Sequence, residues 1–196
     1  MNYSILCVVF TFSFSAQRSI TNAENLVSTM RETYHKTWFK HLTFKQTTSF
    51  YRDGKVTGEQ IWHEAMSLPG RLHIKFGSKK AKSGMLFSDG FEYQYKNGEI
   101  NSSEKKYNPL LFLGFDVYGQ SVETSIEGLK MLGFDLSKMY ETNEFYIVGA
   151  DKNDLQTSQF WVNKNYLYVT RVITKNKEPA FIMDAKCNKY ERLSGG

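Results

Sequence analysis

The sequence predicts a mainly β domain of the α+β class, in which helices lie across the concave face of a curved antiparallel sheet. Aromatic residues make up 15% of the chain, and aromatic side chains favour strands. Segments of alternating apolar and polar residues are separated by turn dipeptides, Asp-Gly at 53–54 and 89–90 and Asn-Gly at 97–98. Strands joined by short turns pair antiparallel, and a sheet this large has to curl or be covered on one face.

The predicted elements follow the order helix, five strands, two helices, four strands. The first helix is predicted by Asn22, a residue type that caps helices, and by apolar residues that recur every four positions from Leu26 to Trp38. The middle helices are predicted by Pro109, which suits a first helical turn, and by Ser121 as a cap. Helices are expected over residues 22–40, 109–113 and 121–132, and strands over residues 42–51, 56–66, 70–77, 85–87, 91–95, 144–148, 158–162, 167–174 and 180–188.

Residues 1–16 are interpreted as a signal peptide. They carry no charge, and the apolar run over residues 5–14 is too short to span a bilayer but suits the core of an export signal. Small residues follow, so cleavage is expected near Ser15 and Ala16, which leaves residues 17–196 as a single exported domain. No Lys or Arg precedes the apolar run, and the alternative interpretation is a buried N-terminal strand.

The formal net charge of +5 favours contact with anionic surfaces such as lipid head groups. Nucleic acid is not an expected partner, because the chain is predicted to leave the cytoplasm. The densest basic cluster consists of Lys79, Lys80 and Lys82, between two glycines, and it is interpreted as a solvated hairpin loop.

Cys187 is the one cysteine that remains after removal of the predicted signal, so no internal disulfide is expected. It lies in the last predicted strand, and we expect its thiol to be buried there. The alternatives are a reactive thiol and a disulfide between two chains.

No motif in the sequence predicts a catalytic residue, a metal site or a cofactor. His63-Glu64 resembles the start of a zinc-binding helix, but no second histidine follows one turn later and the segment is predicted to be a strand. The sequence contains neither a Gly-x-Ser-x-Gly turn nor a glycine-rich phosphate loop. A pair of carboxylates distant in sequence stays open as a catalytic arrangement, and no residue selects one.

Several segments, taken in order, resemble the periplasmic LolA-like family of outer-membrane lipoprotein carriers and their relatives. After the first helix come Phe-Lys-Gln at 44–46, like that family's aromatic-x-Gln strand, and residues 58–62, like its Gly-x-x-x-Trp strand. The resemblance covers roughly residues 23–185 and rests on the order of the segments. The later matches are Pro69 with residues 72–74, the Ser-Asp-Gly hairpin at 88–90 with the aromatic strand after it, and the strand pair at 143–148 and 158–162.

The resemblance implies a half-open antiparallel barrel whose helices form a lid over an apolar cavity that receives lipid or lipoprotein acyl chains. It implies a periplasmic location and no enzymatic activity, and we expect a monomer. One family feature is missing: the lipoprotein carriers have an arginine just before the proline, where it helps to fasten the lid, and residues 63–68 contain none. Arg71 lies after Pro69 and is not equivalent to it.

The leading hypothesis is therefore a periplasmic carrier or binder of lipid or lipoprotein acyl chains, similar to proteins of outer-membrane lipoprotein sorting. The alternative is an envelope-stress sensor or interaction module that binds a membrane protein of the envelope. An enzyme acting on lipid is a third hypothesis, which would need a polar cluster in the cavity. Ten candidate cavity residues, each of which could instead be ordinary core, come from apolar strand faces and the middle helices: Phe44, Ile61, Leu72, Ile74, Phe91, Tyr93, Leu110, Phe112, Leu129 and Trp161.

Overall fold

Two antiparallel sheets and a set of helices make up the computed structural model, which describes residues 19–176 and 181–188. The first sheet has the order β1 to β6, formed by β1 (His41–Arg52), β2 (Lys55–Ser67), β3 (Arg71–Phe76), β4 (Gly84–Ser88), β5 (Phe91–Lys96) and β6 (Glu99–Lys105). The second sheet has the order β11-β10-β9-β8-β7, formed by β7 (Met139–Glu141), β8 (Phe145–Val148), β9 (Gln159–Asn163), β10 (Val169–Asn176) and β11 (Phe181–Lys186). The predicted mainly β, antiparallel architecture is confirmed, and over the described ranges the sheets do not close into a barrel.

One helix precedes the first sheet and a helical segment connects the two sheets. The helices are α1 (Ala23–Tyr34), α2 (Pro109–Leu111), a π-helical turn (Phe112–Asp116), α3 (Val117–Gly119) and α4 (Val122–Met131). The predicted caps are confirmed, because the side chains of Asn22 and Ser121 accept hydrogen bonds from backbone N–H groups of the first turns. The first helix ends earlier than predicted, and a turn brings Trp38 onto Tyr118, with ring centroids 4.2 Å apart. The four-residue apolar spacing therefore extends beyond the end of α1, because Trp38 packs against the hydrophobic cluster that contains Leu26 and Met30.

Two observed strands, β6 and β7, are missing from the sequence prediction. All seven residues of β6 are exposed, and it pairs only with β5 at the edge of the first sheet. A strand with no buried face has no apolar alternation, so the pattern that predicts strands is absent there. The other missed strand, β7, has only three residues and is also at a sheet edge.

The larger hydrophobic cluster, the closed core, lies between the helices and the second sheet. It combines α1, the helical segment and the strand face that carries Val148, Phe160 and Val172. Leu26, Leu129 and Phe160 have no exposed surface. Gly128 lets α4 pack closely against the π-helical turn, because a Cβ atom at position 128 would lie 2.4 Å from the ring of Phe112. The helices therefore pack mainly against the second sheet.

Cys187 follows β11 and is exposed, so the prediction of a buried thiol is wrong. The last cross-strand pair of β10 and β11 is Arg171 with Lys186, and the backbone N–H of Cys187 donates one more hydrogen bond, of 2.8 Å, to the carbonyl of Thr170. The predicted signal peptide lies outside the described residues. Over the ranges that the structure does describe, no helix has the length and hydropathy to cross a membrane.

Candidate functional site

One face of the first sheet is apolar across β1 to β4. Cross-strand partners lie on the same face of a sheet, and the pairs of Met66 with Leu72 and of Leu72 with Phe87 define this face. Side chains alternate along each strand, so every second residue from these positions shares the face. We call this apolar set the open face: Leu42, Phe44, Trp62, Met66, Leu72, Ile74, Phe76, Met85 and Phe87.

Helical residues cover only one end of the open face. Leu111 of α2 and Phe115 of the π-helical turn pack against it. Leu72 and Phe87, at the covered end, are 4% and 5% exposed. The other end carries side chains that are only half-buried: Phe44, Trp62, Phe76 and Met85. The apolar surface therefore continues beyond the helical cover.

A carboxylic acid lies in the middle of the open face. Glu64 is the cross-strand partner of both Phe44 and Ile74, and it is 7% exposed. Burial raises the pKa of the Glu64 carboxyl, because the surroundings do not solvate its charge. Within the described part of the chain, its side chain has neither a hydrogen bond nor an ion pair to offset that burial. Burial therefore disfavours the charged form of Glu64.

A pocket of about 520 Å³ lies at the covered end of the open face. It is bounded by the β2–β3 turn, the β4–β5 turn and the helical segment. Phe87 and Leu111 line the pocket and also belong to the apolar cluster on the open face. Lys106 at its edge forms a 2.9 Å ion pair with the buried Glu92. The volume is within the range of small-molecule sites, roughly 300 to 1,000 Å³.

Asp116 fastens the helical segment to the first sheet. It is 4% exposed, it lines the pocket, and its Oδ1 accepts a 3.0 Å hydrogen bond from the backbone N–H of Gly70 in the β2–β3 turn. Desolvation raises the pKa of the carboxyl to about 6, although the bond from Gly70 acts in the opposite direction. The turn and the helical segment are thus joined through a carboxyl group.

The structure brings three of the ten predicted cavity residues together on the open face. These are Phe44, Leu72 and Ile74. Phe112 and Leu129 are buried in the closed core, and Phe112 also lines the pocket. Leu110 begins the helical segment and is 38% exposed. The helical candidates therefore contribute more to the core than to the apolar sheet surface.

The remaining four candidates lie on other faces. Ile61, Phe91 and Tyr93 lie on the outer face of the first sheet, the face opposite the open face, although Phe91 also reaches the pocket. Trp161 lies on the second sheet, on the face opposite Phe160, where the guanidinium of Arg171 is 4.7 Å from its ring. The structure does not bring these four side chains to the open face.

Sequence reasoning missed Glu64, Trp62, Phe76 and Met85 as members of the site. Phe76 continues the alternation of Leu72 and Ile74 along β3, so the sequence contained the signal for it. Trp62 and Glu64 could be assigned to a face only from the register between β1 and β2.

The site offers apolar contact and few groups for chemistry. Glu64, Glu92 and Asp116 are the carboxyls buried on the face of the first sheet that carries Phe87 and at its pocket, and Glu92 is paired with Lys106. Across the described residues, no group of three or more His, Cys, Asp or Glu side chains is arranged to hold a metal ion. The arrangement can bind an apolar chain.

Comparison with known proteins shows a distant structural likeness and no sequence match. No protein family and no curated protein sequence matches the chain. Among solved structures, the chain is similar to a LolA superfamily protein from Nitrosomonas europaea, with 11% sequence identity, a TM-score of 0.44, and coverage of 86% of this chain and 80% of that one. Function is therefore inferred from the geometry of the open face.

Proposed function

We propose that the protein is an exported, periplasmic binder or carrier of lipid or lipoprotein acyl chains, and that the open face receives the chain. The observation that supports this function is the continuation of the buried row of Leu72 and Ile74 into the half-buried Phe44, Trp62 and Phe76. Removal of one methylene group from water is worth about 0.8 kcal/mol, so a chain on this surface gains affinity with each group that it buries. The proposal includes no catalytic step.

The dimensions of the open face suit an extended chain. From Leu72 to Phe76 the strand rises roughly 13 Å, at about 3.3 Å per residue. The pocket of about 520 Å³ adjoins the Leu72 end through Phe87 and Leu111. A ligand can therefore lie along the sheet and place one end in the pocket.

A pair of aspartate substitutions at neighbouring positions tests the proposal. Phe44→Asp introduces a charge on the open face, whereas Thr43→Asp introduces the same charge on the outer face, where Thr43 is exposed. Burial of an unpaired charge costs several kcal/mol, so Phe44→Asp should weaken binding of a fluorescent hexadecanoate probe at least about tenfold. Thr43→Asp should change the affinity less than about twofold.

The folding of both variants is checked by a cooperative thermal transition. Equal probe affinity in two folded variants would contradict the assignment of the open face. A folded wild-type protein that binds no probe and copurifies with no lipid would contradict the carrier hypothesis. The alternative hypothesis, an envelope interaction module, would then be favoured.

Export has a separate test. The uncharged apolar start followed by Ser15-Ala16 predicts that N-terminal sequencing of the exported protein begins at Ala16 or Gln17. Retention of Met1 on the protein in its native envelope would contradict cleavage.

A further inference from the structure

The loop between β3 and β4 places three exposed lysines at the uncovered end of the open face. Residues 77–83 follow Phe76 directly and carry Lys79, Lys80 and Lys82. Backbone hydrogen bonds hold the loop at both ends, from Gly77 to the carbonyl of Ile61 at 2.7 Å and from Gly98 to the carbonyl of Lys82 at 2.8 Å. The lysines therefore have a defined position next to the half-buried apolar side chains, at the opposite end of β3 from the pocket.

The outer face of the same strands continues this positive surface. Lys45, His63 and Lys75 are consecutive cross-strand partners on β1, β2 and β3. The Nζ of Lys75 donates a 3.1 Å hydrogen bond to the carbonyl of Lys79, which joins the row to the loop. Glu59 lies on this face farther along β2, where its carboxylate accepts a hydrogen bond from Ser49. Basic neighbours in such a row gain stability from an anionic partner.

None of the five lysines at positions 45, 75, 79, 80 and 82 takes part in the ion pairs formed among the described residues. The β5–β6 hairpin beside the loop adds an exposed apolar side chain, because Ile100 is 63% exposed and pairs with Tyr95, the partner of Gly84 at the end of the loop. Unpaired cations beside exposed apolar surface fit a lipid head-group region better than a soluble polyanion.

We propose that this lysine surface, formed by Lys45, Lys75, Lys79, Lys80 and Lys82, docks on an anionic lipid bilayer and directs the uncovered end of the open face toward the lipid. The proposal rests on the proposed function, because docking in this orientation brings the apolar face to the source or the destination of the acyl chain. Each lysine close to an anionic membrane strengthens adsorption about fivefold, so the three loop lysines together contribute on the order of 100-fold.

Vesicle sedimentation tests the docking with two variants of equal net charge. The vesicles are phosphatidylcholine alone or phosphatidylcholine mixed with phosphatidylglycerol, and binding is measured at low and at high salt. The loop variant carries Lys79→Gln, Lys80→Gln and Lys82→Gln. The control variant removes three exposed lysines from other surfaces: Lys36→Gln, Lys130→Gln and Lys152→Gln.

The wild-type protein and the control variant should sediment with the anionic vesicles and not with phosphatidylcholine alone, and high salt should release them. The loop variant should bind the anionic vesicles on the order of 100-fold more weakly. Equal binding by the two variants, or wild-type binding without preference for anionic lipid, would overturn the docking surface. If a DNA duplex at equal phosphate concentration displaced the protein from the anionic vesicles, this result would overturn lipid as the partner of the lysine surface.

Binding of the hexadecanoate probe without vesicles separates the two proposals. The loop variant should bind the probe as the wild-type protein does, because the lysines lie beside the open face and not within it. Probe binding without vesicle binding rejects the docking surface alone. Vesicle binding without probe binding rejects the acyl-chain function and leaves a membrane-docking protein.

Discussion

The closed core and the open face consist of the same kinds of apolar side chains, but only the closed core is fully covered by helices. Residues of α1, the π-helical turn, α3 and α4 cover the second sheet and leave Leu129 and Phe160 with no exposed surface. On the open face, Leu111 and Phe115 are the helical residues in the cluster, and Phe76 stays half-buried. The helical cover therefore completes the core of the second sheet, while the first sheet keeps apolar surface that the helices do not cover.

The largest expected effect is on the closed core. Phe160→Ala removes a ring with no exposed surface and should lower the free energy of unfolding by about 3 to 5 kcal/mol. Phe76→Ala removes the same atoms from the half-buried end of the open face and should cost only about 1 to 2 kcal/mol. Urea denaturation measures both values, and equal losses would show that the open face is packed as a core.

Asp116 connects the two regions and should make their association depend on pH. Its folded-state pKa of about 6 is above the ordinary 3.8, so the folded state holds the proton more tightly than the unfolded chain. The resulting stabilisation is fully present below about pH 4 and is lost as the pH rises to about 6. Asp116→Asn keeps an oxygen for the Gly70 N–H and removes the charge.

The Asp116→Asn variant should therefore be more stable than the wild-type protein by on the order of 2 kcal/mol at about pH 7.5, and the difference should disappear near pH 4. Urea denaturation across this pH range gives the measurement. If the difference in the free energy of unfolding were the same at all pH values, the charge of Asp116 would have no part in that difference.

Glu64 should make a smaller contribution on the open face. Glu64→Leu replaces a buried carboxyl that has no partner within the described residues, and it should raise the free energy of unfolding by about 1 to 2 kcal/mol at neutral pH. Because burial raises the pKa of Glu64, the wild-type protein loses stability as the pH rises, and the advantage of leucine should shrink in acid. Chemical denaturation at neutral and acidic pH checks this, and lower stability at neutral pH would indicate a compensating partner for the carboxyl.

The smallest effect concerns the edge of the second sheet. Cys187 is exposed just beyond the last pair of β10 and β11, unlike the buried centre of that sheet. Labelling by a thiol reagent should be nearly as fast in the native protein as in denaturant, within about tenfold. Much slower native labelling would show that the closed core extends to this edge.

The sequence predicted most elements, but the strand register decided which residues lie on the open face. The two-residue turn pairs Arg52 with Lys55, and a regular ladder from that pair would set Phe44 opposite His63 and on the face of Ile61. The register shifts between Phe50 and Tyr51, so Phe44 pairs with Glu64 instead. A shift of one residue exchanges the two faces of a strand, which is why Ile61 lies on the outer face.

The aromatic strand β5 shows the same limit. Its alternation alone predicts that Phe91 and Tyr93 face inward, but the β4–β5 turn pairs Ser88 with Phe91 and therefore sets Glu92 opposite Phe87. Glu92 is buried at this position because Lys106 neutralises it at 2.9 Å. An ion pair with Lys106, which follows the next strand, cannot be predicted from the local pattern.

The class of the fold, the order of most elements, the helix caps and the antiparallel pairing were predictable from the sequence, because each depends on residues near one another in the chain. The sequence did not predict which sheet the helices cover, which strand faces turn inward, or that Asp116 joins the helical segment to Gly70. These outcomes depend on contacts between distant segments, and β2 carries apolar side chains on both faces. Local periodicity therefore shows that two faces exist, while packing against the rest of the chain selects the one that is buried.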